Sequence, residues 1–136
     1  MAITHGKDAT FSLDNSAGTP VALTQYCNNI SMDLDIDIHD TSVFGVGSRT
    51  KITGIKDGRF TGKFFDTTAY THLSGLYGLA TSSTFVYGPT GSTSGKPRIT
   101  GECWLKTLPV NSDVNNAQDY TSSFEVTGAV TLDTFP

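Results

Sequence analysis

The sequence predicts a mainly β fold: an antiparallel β-sandwich or a strongly bent sheet, with one short flanking helix over about residues 67–78. Three observations predict it. Thr and Ser supply 34 of the 136 residues and Gly another 14, a composition that suits strands and turns. Several segments alternate apolar and polar side chains, and a single segment has helical spacing. The length allows one hydrophobic core, so we treat residues 1–136 as a single domain.

The clearest strand in the first half runs over residues 30–38. Every even position from Ile30 to Ile38 is apolar, and the residues between them are polar: Ser31, Asp33, Asp35 and Asp37. This period of two predicts one face in the core and one face in water. Shorter extended segments are expected before it, at residues 9–13 and around 21–23.

Residues 40–56 are compatible with two structures, a long loop or the two arms of an irregular hairpin. A turn begins after Asp40, and Gly45 and Gly47 loosen the chain. Residues 57–65 then form a strand that places Phe60 and Phe64 on one face.

The helix is predicted from a capping signal followed by an apolar stripe. Asp66, Thr67 and Thr68 are suitable N-cap residues. The stripe contains Ala69, Leu73, Leu76, Tyr77 and Ala80.

The second half of the chain alternates again. Strands are expected over 84–87, 98–108 and 120–133, separated by loops over 88–97 and 111–118. Trp104 falls on the polar side of its strand. A buried partner across the sheet is the preferred explanation, and a subunit interface is the alternative.

Composition argues against several functions. A net charge of −4 does not favour a protein that grips nucleic acid phosphates. No apolar run is long enough to span a bilayer, and the N-terminus lacks the apolar core of a signal peptide. Cys27 and Cys103 have no metal spacing, so both are interpreted as reduced structural residues.

Neither a metal site nor a catalytic site is predicted. Asp33, Asp35 and Asp37 resemble the start of a calcium loop, but Ile38 and Phe44 stand where that loop needs Gly and Glu. The acidic residues therefore form either a solvated strand face or an acidic wall that repels phosphates. The three histidines have no carboxylate or cysteine partner at ligand spacing, and no nucleophile motif is present. They are His5, His39 and His72. We expect a protein without enzymatic activity, metal or cofactor.

Charge and edge properties indicate self-association. Residues 1–40 carry six acidic groups and one basic group, whereas residues 41–65 carry five basic groups and one acidic group. These segments can pair within one chain or between neighbouring subunits in a head-to-tail assembly. Long strands with few charges also leave sheet edges open to pairing with another chain.

Six segments of the chain carry a resemblance to a known family: residues 3–9, 23–35, 40–45, 52–58, 64–68 and 122–128. Together they cover most of the chain in order and in spacing. They resemble the tail tube (major tail) proteins of long, non-contractile-tailed bacteriophages.

The resemblance implies a β-sandwich subunit that assembles into stacked hexameric rings, a conduit for genome delivery. It implies location in the virion tail after synthesis in the host bacterial cytoplasm. The implied partners are other copies of the chain and the tail terminator, distal tail and tape measure proteins. DNA would pass without specific binding, and the chain would not insert into a membrane.

The resemblance also implies site residues. The loop within 40–56 would contact the adjacent ring through Val43, Phe44, Arg49 and Lys51. An acidic lumen would be lined by Asp33, Asp35 and Asp37 or by the polar face of residues 119–133, and Trp104 is the candidate subunit-interface residue. The alternatives are a capsid decoration protein, a carbohydrate-binding β-sandwich, or a type VI secretion tube subunit.

Overall fold

A computed structural model of the chain describes residues 6–45 and 47–136. It contains eight strands, one α-helix and two short 3-10 turns. The strands are β1 Thr10–Asp14, β2 Pro20–Ala22, β3 Cys27–Asp40, β4 Lys51–Phe65, β5 Ser83–Gly88, β6 Pro97–Thr107, β7 Asn111–Asp113 and β8 Asn116–Thr134. The helix, α1, is Thr67–Leu76, and the 3-10 turns are Gly6–Asp8 and Thr24–Tyr26.

All eight strands belong to one antiparallel sheet with the order β2-β1-β5-β6-β8-β4-β3, and β7 pairs with β8. The sheet bends back on itself. Strands β1 and β4 are four positions apart, about 19 Å in a flat sheet. Yet the rings of Phe11 and Phe60 lie 5.7 Å apart, centroid to centroid. The predicted fold class is therefore confirmed, as a single bent sheet with a flanking helix.

Aromatic residues fill the space inside the bend. Phe60 stacks on Phe124 at 4.6 Å and contacts Phe85 at 4.9 Å. Helix α1 covers this cluster with three buried side chains. They are Ala69, Leu73 and Leu76.

The predicted helix is confirmed, and its start is the predicted cap. The Asp66 carboxylate accepts a hydrogen bond from the Thr68 amide. The predicted stripe is wrong at its end, because Tyr77 and Ala80 are exposed. The reason is that the helix stops at Leu76 and the backbone turns at Gly78, whose φ is +76°.

Residues 40–56 form a hairpin, the second of the two predicted alternatives. Strand β3 extends to Asp40 and β4 begins at Lys51, so that only the tip between them lacks strand structure.

Candidate functional site

The sheet divides into two arms at one end. Strand β4 pairs with β8 from Phe65 back to Arg59, and residues 51–58 of β4 pair with β3 alone. Beyond Glu125, β8 pairs with β6 alone, and the register between them breaks around Gly128, whose φ is +76°. We call the space between the β3–β4 arm and the β6–β8 arm the fork.

The fork is an open apolar cleft of about 350 Å³. Leu34 and Ile36 line it from one arm, and Val126, Val130 and Leu132 line it from the other. Leu34 is 39% exposed and Leu132 is 66% exposed. Surfaces of this kind on a soluble chain mark sites of association.

The prediction that the even-numbered face of β3 is buried is wrong for its second half. Ile30 and Met32 pack against the core, but Leu34, Ile36 and Ile38 are exposed. The alternation is present along the whole strand. However, α1 and β1 cover only the half of the sheet that contains Phe60, and none of the residues that the structure describes packs over Leu34, Ile36 and Ile38.

Strand β3 is also the edge of the sheet, and it pairs only with β4 among the described residues. The edge is 14 residues long. Unpaired backbone amides and carbonyls on a long edge can pair with a strand of another chain.

The opposite face of the sheet is polar and continuous across four strands. Strand pairing places Asp33 beside Arg59, Arg59 beside Glu125, and Glu125 beside Trp104. The acidic stripe of β3 and the polar residues of β8 therefore lie on the same face. In the sequence-based predictions, the β3 stripe and the polar side of residues 119–133 are alternative linings of an acidic channel. They are two parts of one surface, which we call the polar face.

The β3–β4 part of the polar face is acidic. Asp35 lies directly opposite Asp57, and Arg59 approaches Asp35 at 3.6 Å. Asp33 and Asp37 lie on the same side of β3 as Asp35 because strand side chains alternate. Lys106 is 3.1 Å from Glu125 further along the face.

Trp104 is 39% exposed on the polar face, so the preferred explanation of a buried Trp104 is wrong. Its neighbour across the sheet is the charged Glu125, and in residues 6–45 and 47–136 no second layer covers Trp104. The alternative, a subunit interface, stays a prediction.

The tip of the β3–β4 hairpin is held at its base and apolar at its end. The Thr41 amide donates to the Thr50 carbonyl at 2.8 Å, and Arg49 binds Asp40 at 2.8 Å. Hydrogen bonds from Ser42 and Arg49 hold the pKa of Asp40 below its usual range. Val43 and Phe44 are exposed at the end.

Ion pairs within the chain join the acidic segment, residues 1–40, to the basic segment, residues 41–65. Asp40–Arg49 and Asp35–Arg59 each join an acidic residue of the first segment to a basic residue of the second. Lys51 lies beside Asp40 as the first residue of β4.

In residues 6–45 and 47–136, no group of three or more His, Cys, Asp or Glu side chains could hold a metal ion. His72 lies 3.0 Å from the carbonyl oxygen of Asp14, and His5 lies outside the described residues. Both cysteines are free, and burial raises the pKa of the Cys103 thiol to about 12. No helix in the described part of the chain is long and apolar enough to cross a membrane.

Sequence reasoning missed the fork and a second hairpin. Residues 111–118 were predicted as a loop, but β7 and the start of β8 pair there. Gly128 in the middle of a long alternating segment was the signal for the fork, because a glycine inside a strand often marks an irregularity in pairing. For the hairpin, the only signal was the polar turn around Asn115.

No family model and no curated protein sequence matches this chain. Solved structures do match. A chain from the tail of an empty gene transfer agent particle, refined with C6 symmetry, superposes with a TM-score of 0.80 at 13% identity, covering 97% of this chain and all of the other. A chain of the SPP1 tail tube gives a TM-score of 0.77 at 12% identity, covering 97% of this chain and 80% of that one.

A third match comes from the sheath–tube complex of an extracellular contractile injection system. Its TM-score is 0.69 at 12% identity, over 97% of this chain and 92% of the other. At such low identity these similarities establish a common fold. The fold implied by the resemblance to tail tube proteins is therefore confirmed.

Proposed function

We propose that this protein is a structural subunit of a phage-type tail tube, which self-assembles into stacked hexameric rings around a channel for the genome. The observation that carries the proposal is the two-sided sheet. It has one continuous polar face and, behind the same strands, an apolar fork and an open edge. The similarity to tail chains, one of them from a tail with C6 symmetry, supports the proposal.

In this assembly the polar face lines the channel. On β3 and β4 the face presents four carboxylates, Asp33, Asp35, Asp37 and Asp57, against two cations, Arg59 and Lys63. A wall of net negative charge repels DNA phosphates, and the protein lacks the cluster of cations that would hold them. DNA therefore passes without specific binding.

The fork and the β3 edge are covered by neighbouring copies in the ring. Burying a fully exposed Leu or Ile side chain contributes about 1.5–3 kcal/mol. Leu34, Ile36, Ile38 and Leu132 are all partly or largely exposed, so a neighbour that covers them gains several such contributions. Trp104 is exposed on the polar face, and in the proposed ring it contacts a neighbouring copy.

The proposed role is structural and not catalytic, in the virion tail. The tail terminator, distal tail and tape measure proteins are proposed as further partners, since a tube of finite length needs proteins at its ends and inside it.

A carbohydrate-binding or capsid decoration module is less well supported. Such a module needs a row of exposed aromatic side chains. The exposed aromatic residues of the described chain lie at a hairpin tip, on α1, after the helix and on the polar face, and do not form a row: Phe44, Tyr70, Tyr77 and Trp104. A type VI secretion tube subunit would share the fold, and it differs in the machine to which the tube belongs.

The test is a charge placed in the fork. We expect Ile36→Asp to leave the monomer folded, because Ile36 is 37% exposed there, and to abolish rings and tubes. Tyr77→Asp is the matched control, since Tyr77 is 72% exposed outside the proposed contacts. Negative-stain electron microscopy and sedimentation velocity report assembly, and circular dichroism reports folding.

Two results would contradict the proposal. One is a concentrated wild-type protein that forms neither rings nor tubes, even with a tail initiation complex added. The other is an Ile36→Asp variant that assembles as well as the Tyr77→Asp control.

A further inference from the structure

One wall of the fork is paired along one edge only. Beyond the register break at Gly128, residues 131–134 of β8 pair with residues 97–100 of β6. In the described part of the chain their other edge faces the fork, because residues 51–58 of β4 pair with β3 alone. A strand segment with exposed hydrogen bonds and few buried contacts opens more easily than the rest of a sheet. This segment nevertheless carries Leu132, which lines the cleft.

The residues that follow Leu132 are fastened to the loop between β5 and β6. The Gly95 amide donates to the Phe135 carbonyl at 2.8 Å, and the Phe135 amide donates to the Lys96 carbonyl at 2.9 Å. The Phe135 ring lies against the buried Gly88, where a Cβ atom would be 2.9 Å from Cε2 of the ring. Glycine at this position therefore leaves the space that the ring occupies.

A two-pronged ion pair lies beside the same ring. Arg98 donates from Nε to Oδ1 of Asp133 at 2.8 Å and from Nη2 to Oδ2 at 2.6 Å. Cζ of Arg98 also lies 5.5 Å from the centre of the Phe135 ring, within the range of a cation–π interaction. The hydrogen bonds from Arg98 hold the pKa of Asp133 below its usual range, so the carboxylate is ionised at neutral pH.

The geometry of this pair distinguishes it from an ordinary surface ion pair. Most exposed ion pairs contribute little to stability, and two-pronged contacts between arginine and a carboxylate are the exception. The side chain of Arg98 is 29% exposed, whereas Arg49, which makes one contact with Asp40, is 77% exposed. We call the arrangement of Gly88, Arg98, Asp133 and Phe135 the latch.

We propose that the latch is a positioning element of the assembly surface, which holds the end of β8 in the conformation that forms the fork wall before another copy binds. This inference rests on the proposed tube function. The latch residues act through Val130 and Leu132, the two apolar side chains that this end of β8 contributes to the cleft.

The physical reason is preorganisation. A wall that becomes ordered only on contact loses conformational entropy at that moment, and the affinity between copies falls accordingly. With the latch closed, this entropy is lost when the single chain folds. The neighbouring copy then meets a surface that is already in place.

The test removes the latch and measures the strand and the assembly separately. Phe135→Ala removes the ring, and Arg98→Gln removes the two-pronged ion pair. In the single chain, we expect amide hydrogen exchange of residues 130–134 to become roughly tenfold faster, and that of residues 59–65, which are paired on both sides, to stay unchanged. The protein concentration needed to form rings and tubes should rise about tenfold in both variants.

Two further variants serve as controls. Tyr77→Ala removes an aromatic ring at an exposed position outside the latch and outside the proposed contacts, and it should match the wild-type chain in both measurements. Arg98→Lys keeps the charge but not the planar two-pronged geometry, so it should restore assembly only in part. Circular dichroism and urea denaturation of every variant report whether the core is folded.

The outcomes separate this inference from the proposed function. Wild-type assembly by both Phe135→Ala and Arg98→Gln overturns the positioning role and leaves the tube function intact. Exchange that becomes faster throughout the chain does the same, because it would show a general contribution to stability. A wild-type chain that forms neither rings nor tubes, even with a tail initiation complex, overturns the tube function and the role of the latch in it.

Discussion

The two halves of the bent sheet share one sequence pattern but differ in what covers them. In the half around Phe60, aromatic rings from several strands meet, and α1 closes the layer. In the forked half, Leu34, Ile36 and Ile38 continue the same alternation and remain exposed. Alternation therefore identifies residues that share a face, and the presence of a second layer decides whether that face is a core or an interface.

This difference separates two roles within one sheet. The packed half supplies the stability of the single chain, because its apolar side chains leave water on folding. The forked half leaves its apolar side chains in water in the single chain, so in the proposed ring its contribution appears on assembly. Substitutions in the two halves are therefore expected to affect different measurements.

The largest contrast is expected from the same substitution in each half. Phe60 is 1% exposed at the centre of the aromatic cluster, so we expect Phe60→Ala to lower the free energy of unfolding by about 3–5 kcal/mol. Phe44→Ala is the matched control at a fully exposed position and should leave monomer stability unchanged. Urea denaturation of both variants tests this. A stable Phe60→Ala chain would mean that the aromatic cluster is not the core.

A smaller contrast is expected from two glycines of β4. A methyl group at Gly62 would lie 2.6 Å from the ring of the buried Phe64, so Gly62→Ala should cost about 1–3 kcal/mol by overpacking. At Gly54 it would lie 2.6 Å from Nε2 of His39, the end of an exposed side chain that can rotate away. Thermal unfolding should show a clear loss for Gly62→Ala and a small one for Gly54→Ala. Equal losses of thermal stability would show that the β3–β4 arm is packed as rigidly as the core.

The smallest effect expected is a pH dependence that arises in the packed half. Burial lowers the pKa of His72 below its ordinary value of 6.5, so the unfolded chain binds a proton that the folded chain resists. Stability should therefore be present in full above pH 6.5 and decrease as the pH falls below it. Urea titrations at pH 7.5 and 5.5, compared with His72→Gln, isolate this effect. A wild-type chain that is more stable at pH 5.5 than at 7.5, relative to the variant, would reverse the sign and contradict it.

Local patterns predicted most of the elements. The alternation over residues 30–38 lies within β3, and the Asp66 cap begins α1. Phe60 and Phe64 share one face as predicted, and the structure shows that this face is buried. These predictions depend on neighbouring residues along the chain, and so a single sequence contains the necessary information.

The candidate surfaces were predicted in part. The sequence predicted the acidic stripe of β3. That this stripe shares a face with the polar residues of β8 follows only from the register in which both strands pair with β4. For Trp104 the sequence leaves a buried contact and a subunit interface both open, because no local signal tells which face of β6 lacks a covering layer. The β7–β8 hairpin was missed because its strands are short and polar.

By itself, the sequence determined the strand periodicities, the helix with its cap, the low net charge and the segregation of charge between residues 1–40 and 41–65. Each of these is a property of residues near one another in the chain. The tertiary structure alone decided which apolar faces are covered, where β4 and β8 separate, and that the two hairpin tips lie at opposite ends. Those features depend on strand order and register, since pairing joins residues such as Arg59 and Glu125 that are distant in sequence.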